Sequence, residues 1–219
     1  MLFRSTLQGT DLADEHIVFG GHLDSWDLAT GALDNGVGAV TVLEVARALK
    51  AAGYHPRRTI HFVLYMGEEQ GMYGSQAHAA GLACQGVLAK VRYMFNTDMS
   101  IDPVAFNLWG FPARQRFYEE LAERIRKYLP GFEGRIVSQP MSGGDSEPYQ
   151  RRGIPILYLN GRLTSGLLAC QHAACDRLDI VDREQLRNTV RISAHTLKAL
   201  GDAEDRKSTR LNSSHPYRS

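Results

Sequence analysis

Residues 17–38 of this 219-residue chain read IVFGGHLDSWDLATGALDNGVG. An apolar, strand-like run there delivers His22 and Asp24 two positions apart, and a glycine-rich loop then delivers Asp34. Farther along stand the acidic pair Glu68 and Glu69 in GEEQG, Asp98 in NTDM, and His172. Carboxylate oxygen and imidazole nitrogen are the donors that zinc and related divalent ions take, and a catalytic zinc keeps one position open for water. His22, Asp34, Glu69, Asp98 and His172 suffice for two zinc ions, with one carboxylate shared and each ion finished by a terminal histidine and a terminal carboxylate. Asp24 suits an acid that orients the His22 imidazole by accepting its other N–H. Glu68 is then free for proton transfer. A two-metal hydrolase needs a base that takes the proton of the attacking water and gives it to the leaving amine. Adjacent acids on an extended or turning backbone point in different directions, so Glu69 can bind metal while Glu68 faces substrate.

Blander readings exist for each piece. His22 and Asp24 alone would pass for a satisfied strand end, and Glu68 and Glu69 for a solvated helix start attracted by the helix dipole. Neither explains why the other acids also stand where strands end. His16, His55, His61 and His78 are assigned to surface or core, and His195 falls within an amphipathic helix. Met66, Met72 and Met94 read as core or pocket wall. Trp26 and Trp109 either line a cleft or pack in the core, and both options stay open.

The elements that must position these groups follow from periodicity. Residues 16–19, 59–66, 91–97, 105–109 and 154–159 read as strands, and 37–52, 74–80, 114–129 and 183–200 as helices. Gly53 stops the first long helix, and Pro130 with Gly131 breaks the third. Strands alternating with helices predict an α/β sandwich with a largely parallel sheet, whose ligands gather beyond the C-terminal strand ends. His22, Asp24, Glu68, Glu69 and Asp98 all lie at or just after such ends. SGGDSEPY, residues 142–149, reads as a glycine-rich turn entering a helix, with Asp145 or Ser146 as its N-cap. Ser146 is not read as a nucleophile, because it lacks the strand-to-helix G-x-S-x-G setting.

Composition bounds the rest. A chain that is 43% hydrophobic and 22% charged can bury a substantial core. A formal charge of +1 gives no reason to expect nucleic acid as a partner, and no apolar stretch is long enough to span a bilayer as a helix. The three cysteines are Cys84, Cys170 and Cys175. The last two are close enough to bridge around His172, or would be two small buried thiols in a reducing compartment; both readings stand. Residues 1–204 are expected to form one catalytic domain lacking upstream structure. Residues 205–219 read as a disordered, non-native tail, of which 205–215 look like a translated sequencing adapter.

GGHLDSWD, GALDNGVGA, GEEQG, NTDM and the stretch from His172 to Asp176 together resemble the co-catalytic zinc exopeptidase family that includes bacterial leucyl aminopeptidases. HLDSWD followed by a G-A-x-D-x-G-x-G loop is most similar to the branch containing plasma glutamate carboxypeptidase. The likeness covers most of residues 17–200. It implies a three-layer α/β/α sandwich around a mixed, largely parallel sheet. It also implies two zinc ions bridged by Asp34, with His22, Asp98, Glu69 and His172 as terminal ligands. A bridging hydroxide would be the nucleophile and Glu68 the general base. Short peptides are the implied substrates, the implied location is secreted or periplasmic, and a homodimer is left open. Where the family usually carries tyrosine, histidine, threonine and proline, this chain reads QHAACD. Two alternatives share the resemblance: a single-zinc acyltransferase like glutaminyl cyclase, and a catalytically inactive receptor-type domain.

Overall fold

The computed structural model describes residues 2–110 and 115–204. In chain order the elements are β1 (Leu2–Leu7), β2 (Leu12–His22), α1 (Val37–Ala51), β3 (Arg58–Tyr65), α2 (Tyr73–Cys84), β4 (Val91–Asn96), β5 (Pro103–Trp109), α3 (Gln115–Arg126), β6 (Arg135–Val137), α4 (Glu147–Gln150), β7 (Ile156–Gly161), α5 (Ser165–Leu168) and α6 (Arg183–Asp202). The strands form one seven-stranded sheet in the order β1-β3-β2-β4-β7-β5-β6. β3, β2, β4 and β7 run parallel, β1 pairs antiparallel with β3 at one edge, and β5 pairs antiparallel with β7.

Helices cover both faces because the central strands are apolar on both. Every residue of β3 is buried, which erases the polar alternation of a half-exposed strand. Ile60, Phe62 and Leu64 pack with Val42, Val45 and Leu49 of α1, Leu121 and Ile125 of α3, and Ile192, Leu197 and Leu200 of α6. Val63 and Tyr65 turn the other way, against Ala79 and Leu82 of α2 and Tyr149 of α4. This is the expected α/β/α sandwich around a mixed sheet. Arg58, buried at the start of β3, donates to Glu15 and to the carbonyls of Leu200 and Ala203, which ties the end of α6 to the sheet.

Several local expectations change. Residues 2–7 form an edge strand, and β2 starts four residues before the apolar run that announces it. Strand β6 is three residues long and pairs only with β5. Helix α3 starts at Gln115, and Arg114, part of the expected helix, lies outside the described residues, as does the 205–219 segment. Ser146 occupies the N-cap position of α4, one of the two residues expected there, but its side chain makes no capping bond, and the Glu147 carboxylate bonds the Gly143 N–H at 2.7 Å. No described helix is long and apolar enough to cross a membrane.

Candidate metal centre

Because β3, β2 and β4 are parallel neighbours, the groups at their C-terminal ends emerge on one rim. His22 ends β2, Glu68 and Glu69 follow β3, and Asp98 follows β4. Asp34 reaches the same place from the loop between β2 and α1, and His172 from the segment after α5. The structure thus brings together all five residues expected to bind metal.

Their spacing has a definite pattern. His22 Nε2 lies 3.2 Å from Asp34 Oδ1 and 3.5 Å from Asp98 Oδ1. His172 Nε2 lies 3.1 Å from Asp34 Oδ2 and 3.0 Å from Glu69 Oε2. Donors bound at about 2.0 Å to a tetrahedral ion stand about 3.3 Å from one another. The two oxygens of Asp34 therefore each belong to a separate donor cluster. His22 Nε2, Asp98 Oδ1 and Glu69 Oε1 are buried and have no hydrogen-bond partner among the described residues, the state of donors left open for an ion. Burial opposes charge on His22, yet the Asp34 and Asp98 carboxylates hold its imidazole up to about 12. The cage stabilises positive charge strongly, and its donor set fits zinc.

The loop carrying Asp34 is fixed from three sides. Asn35, joined to Asp34 by a cis peptide bond, donates to the Thr97 carbonyl at 3.0 Å and accepts from the N–H groups of Gly38 and Met99. A Cβ at Gly38 would stand 2.2 Å from Asn35 Oδ1 and 2.5 Å from the Thr97 oxygen, so only glycine fits there. Gly31 adopts φ 60 and turns the chain. Gly36 has helical dihedrals at the start of α1, and Gly38 already lies within that helix. From the third side the buried Asp176 carboxylate accepts from the backbone N–H groups of Leu33 at 2.6 Å and Asp34 at 2.9 Å.

Asp24 has a different part from the one expected. His22 Nδ1 donates to the main-chain carbonyl of Asp24 at 3.0 Å, while the carboxylate stands 4.0 Å away. The chain bends after His22, so the carbonyl meets the ring, and the Asp24 side chain points to the next loop. There it accepts from the N–H groups of both Glu68 and Glu69, each at 3.3 Å. With Nδ1 held as a donor to that carbonyl, Nε2 is the nitrogen that faces the Asp34 and Asp98 carboxylates and would be free to take a metal ion in place of its proton. Asp24 sets the offset between the two acids.

Burial pushes the Glu68 carboxyl up to about 8; His22 pulls it down, and Asp98, Asp145 and Glu69 push it further up. Behind it, Asp145 is raised to about 7 by burial, with Ser75 and His22 lowering it and Asp98 and Asp24 raising it. Cys170 and Cys175 form a disulfide that brackets His172, with Cα atoms 5.2 Å apart. Trp26, 48% exposed, sits with its ring 5.1 Å from that of His172. Gln171 Nε2 donates to Asp34 Oδ2 at 3.3 Å. The positions of Asn35, Gln171 and Trp26 around the ligands had no spacing signal in the sequence. His16 and His61 pair at 3.0 Å, and His78 bonds Tyr149, away from the ligands, as their assignment to surface or core expects. His195 stacks on Tyr128 beside α3.

The profile of peptidase family M28 matches residues 5–197. The chain belongs to that family. It is 40% identical over 70 residues to carboxypeptidase Q of Xenopus laevis, a stretch covering 32% of this chain and 15% of that protein. The zinc aminopeptidase of Bacillus subtilis superposes with a TM-score of 0.74 at 19% identity, over 96% of this chain and 52% of the other. A glutaminyl cyclase from an Acidobacteriales bacterium shares the fold at a TM-score of 0.66 and 21% identity, over 90% of this chain and 72% of the other. The chain spans about half or less of the length of the first two.

Proposed function

We propose that this chain is the catalytic core of a dinuclear zinc exopeptidase that hydrolyses short, unblocked peptides, with aminopeptidase or dipeptidase activity expected first. The observation that carries the reading is the divided carboxylate of Asp34, one oxygen beside His22 and Asp98 and the other beside His172 and Glu69. One ion would be held by His22, Asp98 and Asp34, the other by His172, Glu69 and Asp34. Zinc bound there would supply Lewis-acid polarisation of the scissile carbonyl and activation of water near neutral pH.

The remaining work falls to side chains. Glu68, adjacent to a ligand but not among the converging donors, takes the proton of the attacking water and delivers it to the leaving nitrogen. Asp24 holds that base and Glu69 at a fixed offset through their backbone N–H groups. Trp26 shields the His172 side from water and, with the exposed Leu23 and Met66, offers an apolar wall to a substrate side chain. The disulfide fits an oxidising compartment, which supports a secreted or periplasmic setting.

The test is Glu68→Gln. Turnover of aminoacyl anilides and free dipeptides should fall roughly 10²- to 10⁴-fold while zinc content stays at the wild-type level. Zinc lost in parallel with activity would show that Glu68 is a ligand and overturn its role as base. The fold shared with a glutaminyl cyclase favours a second reading, a single-zinc acyltransferase. It would be supported by one zinc per chain together with cyclisation of N-terminal glutaminyl peptides.

A further inference from the structure

The two donor clusters are anchored very differently. His22 is 1% exposed, ends a central strand, and has its Nδ1 bonded to a main-chain carbonyl; Asp98 lies two residues past the end of β4. His172 is 43% exposed and lies in a segment where Gln171, Ala174 and Cys175 are exposed too. It adopts φ 55, a left-handed conformation that a non-glycine residue keeps only when its surroundings hold it. Around it the Ala173 N–H bonds the Cys170 carbonyl at 3.1 Å, the Asp176 N–H bonds the Ala173 carbonyl at 3.0 Å, Trp26 stands beside the ring, and the neighbouring Gln171 and Asp176 bond the loop carrying Asp34; none of these bonds involves the His172 backbone itself. The covalent link is the Cys170–Cys175 bridge, and Cys175 is accessible to a reductant.

We propose that Cys170–Cys175 is a redox-sensitive clamp on His172, whose reduction selectively weakens the metal position formed by His172 and Glu69. The inference rests on the two-ion reading of the site. Reduction breaks the S–S bond and adds two electrons and two protons. A dithiol supplies both by exchange through a mixed disulfide and closes to its own disulfide. A phosphine supplies the electrons and becomes phosphine oxide, water providing the oxygen and the protons. His172 then loses the constraint that holds its ring toward Asp34 and Glu69. Loss of such a supporting contact weakens metal binding roughly 10- to 100-fold. The position formed by His22 and Asp98 is affected far less, because the bridged segment contacts it only through the Gln171 bond to the shared Asp34 and touches neither His22 nor Asp98.

Two readouts on the full chain separate the clamp from the reading beneath it. In the metal-free protein, hydrogen exchange over residues 169–177 is compared between the oxidised form, the phosphine-reduced form after desalting, and Cys170→Ser/Cys175→Ser. Zinc affinity of the same three samples is then measured by competition with a chromogenic chelator. The proposal expects faster exchange in the reduced and double-serine proteins, and one of two zinc affinities reduced at least tenfold in the double-serine variant, where no thiol from the bridge remains to bind zinc. Unchanged exchange, or two unchanged zinc affinities, overturns it. An oxidised protein that binds a single zinc refutes the two-ion reading and with it the selective effect.

Discussion

Replacing Asp176 tests how the site is held together. Its carboxylate is 3% exposed and accepts from two buried backbone donors 142 and 143 positions away, and its carbonyl accepts from Thr30 N and Thr30 Oγ1 at 3.2 and 3.3 Å. It is the joint between the loop carrying His172 and the loop carrying Asp34. A hydrogen bond to a charged group contributes about 1.5–3 kcal/mol, and Asp176→Ala removes two of them while leaving the Leu33 and Asp34 N–H groups buried and unsatisfied. The expected loss is about 3–6 kcal/mol, and Asp176→Asn, which keeps one accepting oxygen, should lose roughly half as much. For a chain of this size that corresponds to a fall in Tm of about 6–24 °C for alanine. The assay is thermal and urea unfolding of the metal-free protein, followed by zinc titration below the transition. Zinc affinity should fall with stability, since both loops carry ligands. A shift in Tm under about 2 °C with wild-type zinc binding would refute the claim that this carboxylate is the joint.

The layered fold is legible in the sequence because it rests on local periodicity in the buried elements. TIHFVLYM and VRYMFN are apolar at nearly every position, as strands covered on both faces must be, and residues 37–52 repeat their apolar groups at helical spacing. The edges are not legible. β1 gains its backbone partners from β3, 58 or so positions away, and its Arg4, Ser5 and Thr6 give no alternating pattern; β6 is too short to show any period. The same division runs through the site. Four of the five ligands could be noticed because they end a strand or interrupt a glycine-rich loop, and a parallel sheet gathers such ends; His172, in the segment after α5, is reached through the family resemblance. Which atom of Asp24 faces His22, and where the Asp176 carboxylate goes, depends on the three-dimensional course of loops that no spacing rule describes. The departure from the family pattern at QHAACD is where the disulfide enters, and its two cysteines were compatible with either state until the Cα separation was known.

Removing the shared carboxylate should act on both ions: Asp34→Ala is expected to bind neither at wild-type affinity, measured by zinc titration, and retention of both would refute the bridging assignment. Acid sensitivity is worked out from the histidines away from the ligands. Burial lowers His61 to about 4, with His16, His78 and Arg4 adding to the effect, and burial with Arg4 lowers His78 to about 4. His16 Nδ1 and His61 Nε2 are 3.0 Å apart, a contact that carries one proton and resists a second charge, and Thr6 Oγ1 lies 3.4 Å from the other nitrogen of His61. An unfolded histidine protonates near 6.5, so between about 6.5 and 4 the unfolded chain binds the proton and the folded chain does not. The contribution is therefore fully present above that range and is lost as pH falls through it. At pH 5 the loss is about 2 kcal/mol for each of the two residues, from 1.36 kcal/mol per pKa unit. Urea unfolding of metal-free wild type at pH 7 and pH 5 should show this loss, and His61→Gln and His78→Gln should each show about 2 kcal/mol less of it. The carboxylates of the site titrate alike in all three proteins and cancel in the comparison. Equal losses in wild type and both variants would mean that these imidazoles accept protons in the folded chain as readily as in the unfolded one, which their burial forbids.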